Sequence, residues 1–196
     1  MAVIDFSSNP PCERAHAKRP VRDETIVVNP NGTLRNTLVW LKSGVPRQHW
    51  DTPVAQATLD QNGCVYQPHV LALMTNQDLE IRNPDPVNHN VHIESTVNLA
   101  TSEMEYPRGE SLHKRYQRQE VWFPVACSVH PWMHAYIAVI AHPFFAVTGS
   151  DGSFDLKNIP AGDYTLEAVH EKYGRKEQRI SLQASQVRTA EFTYGD

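Results

Sequence analysis

Cysteine is scarce in this 196-residue chain: there are three, too few for a disulfide framework, and one thiol is left over if two pair. Long hydrophobic runs are missing as well. The longest uninterrupted apolar stretches are about seven residues, as at 135–141, against the roughly 20 that a bilayer-spanning helix needs. There is no basic excess, since 18 Lys and Arg against 22 Asp and Glu give a formal charge of −4, which argues against a nucleic-acid binder held by phosphate contacts. Helical periodicity is absent from every window of useful length, and fourteen prolines break up the rest, so a helical bundle is excluded and βαβ repeats are disfavoured. What remains is an all-β chain, long enough to bury a core.

Turn signals divide the chain. Residues 1–30 are irregular, with Asn9-Pro10-Pro11 and Asn29-Pro30 as punctuation and only 26–28 strand-like. Asn29-Pro30-Asn31-Gly32 predicts a turn, followed by an alternating strand over 33–41, and Asp60-Gln61-Asn62-Gly63 predicts a second turn. Strands are expected at 69–73, 79–82, 89–94, 113–123 and 135–141, with 95–110 a long loop. Beyond His142-Pro143 the texture changes to short strands, at 146–148, 154–156 and 164–169, separated by Gly-, Asp- and Pro-containing turns.

Chemistry concentrates in Cys127-Ser128-Val129-His130-Pro131-Trp132-Met133, where a thiol, an imidazole and a thioether fall in seven residues with the spacing Cys-x2-His-x2-Met. Thiolate, imidazole and thioether together suit copper, and one thiolate with two imidazoles and a weak axial Met is the blue-copper electron-transfer set. Zinc is the competing metal, but thioether is a poor zinc ligand and structural zinc favours two or more thiolates. The second imidazole must come from Asn88-His89-Asn90-Val91-His92. His89 and His92 are separated by an odd number of positions, so on a strand they point to opposite faces and only one of them can reach an interior ion.

The pairing of His89-Asn90-Val91-His92 with Cys127-x2-His130-Pro131-x-Met133 resembles the cupredoxins, most closely amicyanin-type proteins with a short ligand loop. The likeness covers residues 58–142 and includes the segment from Tyr66 to Asp85. It implies a Greek-key β-sandwich with one type 1 copper held by His89, Cys127, His130 and axial Met133, His92 being no ligand. It further implies that Asn90 donates its backbone N–H to the thiolate and, with Ser128, ties the two ligand loops together. Electrons would pass through an exposed edge of His130, flanked by Pro131 and Trp132. The expected role is a carrier of single electrons between redox proteins such as a cytochrome or an oxidoreductase, not an enzyme. The alternative is a copper-binding structural or carrier module with no electron transfer.

Cys12 and Cys64 remain. A disulfide between them would close about 52 residues, contribute about 4 kcal/mol in the chain-entropy view and indicate an oxidising compartment. Free buried thiols, or a second metal site built from Cys12, His16, Cys64 and His69, are the other readings. With a disulfide, the expected location is periplasmic or otherwise extracytoplasmic. Met1-Ala2-Val3 begins no secretory leader, which leaves a cytosolic protein or a leader removed ahead of this numbering, and the cysteines favour the second. Arg108, Lys114, Arg115 and Arg118 form a solvated basic face or a docking patch for an acidic redox partner, and His49, His113, His134, His142 and His170 are expected to be surface or hydrogen-bonded residues rather than ligands.

Residues 143–196 form the other unit. Thr148-Gly149-Ser150-Asp151-Gly152-Ser153-Phe154 and Ile159-Pro160-Ala161-Gly162-Asp163-Tyr164 resemble a carboxypeptidase regulatory-like, transthyretin-like β-sandwich. About 50 residues are few for a sandwich, so the segment 1–57, and 33–41 in particular, is expected to supply the missing strands, with the copper module as an insertion. Its implied role is to dock or orient that module on a partner or surface.

Overall fold

A computed structural model describes residues 1–16 and 20–195. In chain order they form a short helix α1 (Pro10–His16) and strands β1 (Leu38–Ser43), β2 (Ala57–Asp60), β3 (Val70–Met74), β4 (Leu79–Arg82), β5 (His89–Ile93) and β6 (Thr101–Glu105). There follow β7 (Leu112–Lys114), β8 (Glu120–Ala126), β9 (His134–Ile140), β10 (Phe145–Val147), β11 (Gly162–His170) and β12 (Gly174–Leu182). The described residues are all-β apart from α1, and no helix among them is long and apolar enough to cross a membrane.

Two compact units result, Met1–Glu24 with Asp51–Ala141, and Thr25–Trp50 with His142–Asp196. In the first, a five-stranded sheet of order β3-β9-β8-β5-β6 and a three-stranded sheet of order β2-β4-β7 enclose one core. Leu59, Leu79 and Ile81 of the smaller sheet meet Leu73, Val91, Ile93, Phe123, Val125, Ile137 and Val139 of the larger, as inner faces of stacked sheets do. Strand parity places the site. Val91 and Ile93 point inward on β5, so His89 does too, fully buried, while the His92 side chain turns outward at 42 % exposure. On β8, Phe123 and Val125 point inward and Cys127 continues that parity one step past the strand end.

The second unit is one antiparallel sheet, β10-β1-β11-β12. One face of the sheet carries Val39, Leu41, Leu166, Ala168 and Ile180, and Phe154, Leu156, Ile159, Phe192 and Tyr194 pack on that cluster. β1, drawn from the segment before residue 51, lies between β10 and β11.

Some expected elements differ. Residues 101–105 pair with β5 although they fall in the expected loop: Glu105 is buried and Met104 is 43 % exposed, which inverts the polarity pattern that would have marked a strand. The expected strand at 113–123 is two strands, β7 and β8, with an irregular stretch between. Residues 154–156 are not strand but a covering segment, and 26–28 contributes only an isolated bridge at Val28. β12 went unforeseen because seven of its nine residues are exposed and polar or Gly; its register along β11 makes it a strand.

Candidate metal centre

The two segments that carry the soft and imidazole donors meet at one end of the first unit's sandwich. β5 pairs antiparallel with β8 through His92 with Ala126 and Ile93 with Val125, so the start of β5 lies beside the residues that follow β8. Between β8 and β9 the chain makes a tight loop, in which the Cys127 N–H donates to the Met133 carbonyl at 3.0 Å and the Met133 N–H to the His130 carbonyl at 2.9 Å. The loop therefore presents Cys127, His130 and Met133, all buried, while His134 opens β9 with the opposite parity.

His89, Cys127 and His130 each direct one donor atom to a common point, the three lying within 4.8 Å of one another. His89 Nδ1 and His130 Nδ1 are 3.0 Å apart, and Cys127 Sγ is 3.8 Å from His130 Nδ1. The backbone N–H of Asn90 donates to Cys127 Sγ at 3.3 Å. Ser128 Oγ–H donates to Asn90 Oδ1 at 2.8 Å, and the Asn90 amide nitrogen donates to Ser102 Oγ and to the Glu103 carbonyl, so Asn90 joins the two ligand segments to β6.

Two groups that sequence reasoning did not assign to the site support it. Tyr66, 4 % exposed, donates its hydroxyl to the Asn90 carbonyl at 2.7 Å and the Ala126 carbonyl at 3.2 Å, clamping both ligand segments from behind. Asp85 accepts from His89 Nε2–H at 2.9 Å. Its carboxylate is held in turn by the N–H groups of Gly63 and Cys64 at 2.8 and 2.7 Å. Both of these residues have positive φ, +73° and +57°, which aims successive N–H groups at one anion. The turn expected at Asp60-Gln61-Asn62-Gly63 is thus the cradle of a carboxylate. A carboxylate four residues before a histidine on a strand approach is a weak signal, and only the fold makes it visible.

Electrostatics favour an anionic sulfur. Burial alone would raise the Cys127 thiol, but bonds from His89 and from the N–H groups of Asn90, His130 and Val129 outweigh it and hold the pKa below the usual thiol value. Burial likewise opposes charge on His89, yet Asp85 and Cys127 raise its pKa; Asp85, also penalised by burial, is held low by His89, Cys64 and Gly63. Burial and the neighbouring His89 push His130 down to about 4, so its ring is neutral near pH 7.

The N-terminal arm changes the expected surface. His130 is 1 % exposed, so the edge of its own ring is covered, while Pro131 beside it is exposed and Trp132 half-buried. The Asn9 amide nitrogen lies 2.8 Å from His130 Nε2, and Cys12 Sγ lies 3.7 Å from the same atom. Cys12 and Cys64 form a disulfide, S–S 2.06 Å, with Cα atoms 5.8 Å apart. Trp132, half-buried, donates its indole N–H to the Cys64 carbonyl at 2.9 Å and meets Phe6 edge-on. The second metal set does not assemble: its two sulfurs are bonded to each other, His16 Nε2 bonds the Gly63 carbonyl, and His69 lies against His134 and Tyr136. Of the basic run, Lys114 pairs with Glu103 and Arg115 with Asp78.

No family model matches the chain, and no curated protein does. Solved structures do. A Cu-containing nitrite reductase from Thermus scotoductus SA-01 is similar at 18 % identity and TM-score 0.41, over 50 % of this chain and 25 % of that one, so this chain spans about a quarter of that enzyme's length. A purple cupredoxin from Nitrosopumilus maritimus is similar at 17 % identity and TM-score 0.37, over 43 % of this chain and 99 % of that one. A copper(I) amicyanin variant follows at 17 % identity and TM-score 0.38, over 52 % and 97 %. At these identities the assignment of the site rests on its own geometry.

Proposed function

We propose that this chain is a type 1 blue copper protein that carries single electrons between redox partners. One observation supports the reading above all: His89 Nδ1, Cys127 Sγ and His130 Nδ1 converge in a buried pocket, with an N–H from Asn90 aimed at the sulfur and no lysine or arginine bonded to it among the described residues. Two imidazoles, a thiolate of lowered pKa and a nearby thioether suit copper better than zinc. His89, Cys127, His130 and Met133 would hold the ion, which supplies a one-electron couple when bound. The chain's own residues do the rest. Tyr66, Asn90 and Ser128 fix the ligand segments so that they need not move as charge changes, and Asp85 fixes the His89 ring with Nδ1 free for the metal.

The partners on this reading are redox proteins such as a cytochrome or an oxidoreductase, in a periplasmic or other extracytoplasmic compartment where the Cys12–Cys64 disulfide persists. The second unit, read as a transthyretin-like module, would orient the copper unit. Burial of His130 favours a second reading, a copper-holding module without electron transfer. Copper(II) titration decides between them. An intense visible thiolate-to-copper band at one copper per chain, with a reversible one-electron wave, supports the carrier. Full occupancy without the band counts against type 1 copper, and the band without exchange with a cytochrome favours the second reading.

A further inference from the structure

The residues laid over His130 are fastened on both sides of Asn9. Before it, Phe6 is 6 % exposed, with its ring centroid 5.2 Å from that of Trp132 and stacked at 4.8 Å on His16. After it, Cys12 is fully buried in the disulfide to Cys64. The local sequence explains the shape: Asn9 caps α1, its Oδ1 accepting from the Cys12 N–H at 3.3 Å and its carbonyl from the Glu13 N–H at 3.0 Å, while Pro10 and Pro11 occupy first-turn positions where no N–H is needed.

That cap fixes which end of the Asn9 amide meets the ring. With Oδ1 engaged by Cys12, the amide NH2 donates to His130 Nε2. On its other side the His130 ring meets His89, Nδ1 to Nδ1 at 3.0 Å, and His89 gives its Nε2–H to Asp85.

We propose that residues 6–16 are a built-in cap that determines access to the centre, and that Asn9 is the positioning residue coupling the cap to His130. A partner or chelator cannot touch the His130 edge while the cap is closed, so electron exchange proceeds across it. The cover exists in the metal-free chain, and only the statement on electron exchange rests on the copper reading.

Both tests therefore use metal-free protein. Carbethoxylation with diethyl pyrocarbonate, mapped by peptide mass spectrometry, should label His92 and His113, whose side chains are 42 % and 50 % exposed, and spare His130 and His89. In the Cys12→Ser, Cys64→Ser double variant labelling of His130 should rise by about tenfold or more with His89 still spared, because the arm opens locally. An unchanged rate in a variant with native sheet amide signals overturns the cap. In Asn9→Ala, which keeps the disulfide, the His130 Nε2 15N resonance should shift as it loses the amide donor, and an unchanged resonance overturns the role of Asn9. Should the double variant unfold, Asn9→Ala decides alone, by labelling and by that resonance. Failure of the copper reading would show separately, as no visible band on copper(II) addition with both metal-free results standing.

Discussion

Each unit buries ionisable side chains, and the two do it differently. In the second unit the Glu167 carboxylate, with a side chain 0 % exposed, is met by Lys42 Nζ at 2.7 Å, Arg175 Nη1 at 2.7 Å and the Trp40 indole N–H at 2.8 Å. Its charge is answered by cations and a donor that the chain itself supplies, as a buried structural charge requires. In the first unit a thiol of lowered pKa and two imidazoles face one another with the Asp85 carboxylate behind, and among the described residues no lysine or arginine bonds to Cys127 or Asp85. On the copper reading, donor atoms turned toward a shared point with no lysine or arginine bonded to them among the described residues await a cation from outside. Buried charge alone therefore says little, whereas the identity of its partner separates scaffold from site.

The largest effect that sharpens this contrast is Cys127→Ser. It should abolish the visible band on copper(II) addition completely, read by absorption, while thermal unfolding of the metal-free chain shifts little because the hydroxyl is a near-isostere. Glu167→Leu should do the reverse. Removing the carboxylate leaves the buried Trp40 indole N–H without its acceptor, while Lys42 keeps Glu177, and costs about 1–3 kcal/mol in urea unfolding of the metal-free protein, with the copper band unchanged. A Glu167 variant that lost copper binding, or a Cys127 variant that unfolded, would break the distinction.

How much of this was legible beforehand follows the same line. The donor set could be read because ligand chemistry demands fixed residue types at short spacing, and strand parity then separates His89 from His92, 0 % against 42 % exposed in the side chain. The metal-centre assignment itself is a proposal, but the coming together of His89, Cys127 and His130 is geometry. Tyr66 was illegible as a support because its partners are backbone groups of Asn90 and Ala126, and Asp85 because the groups that hold it toward His89 are the backbone N–H groups of Gly63 and Cys64, which carry no side-chain signature. The cover on His130 was illegible because Asn9 acts across 121 positions. β6 was hidden by its inverted polarity, with Glu105 buried where pattern reading looks for an apolar residue.

Asp85→Asn tests the carboxylate behind the ligand with a smaller change. The shape is kept and the charge removed, so His89 loses the acceptor that orients it and makes it more basic. Affinity for copper, measured by competition with a chelator, should fall by about 10–100-fold with the visible band retained. No change in affinity would mean that the Gly63 and Cys64 N–H groups hold Asp85 for the fold alone.

The smallest effect on copper binding, and the cleanest control, is Glu120. Among the described residues this buried carboxylate meets neither a metal donor nor a cation; it accepts from Ser95 Oγ–H, from Thr96 Oγ–H and from the N–H groups of Thr96, Val97 and Asn98. Burial would raise its pKa, but those donors hold it down to about 2 against an ordinary 4.5. A carboxyl depressed in the folded chain adds stability that is fully present above its unfolded pKa and is lost as pH falls through the folded one. Stability should therefore drop between about pH 4.5 and about 2 through this group, and Glu120→Gln should flatten that part of the acid limb in urea unfolding of metal-free protein while leaving copper binding untouched. The same limb in Glu120→Gln as in the native chain would show that backbone dipoles do not carry this charge, and the contrast between answered and waiting charges would lose its third, cation-free case.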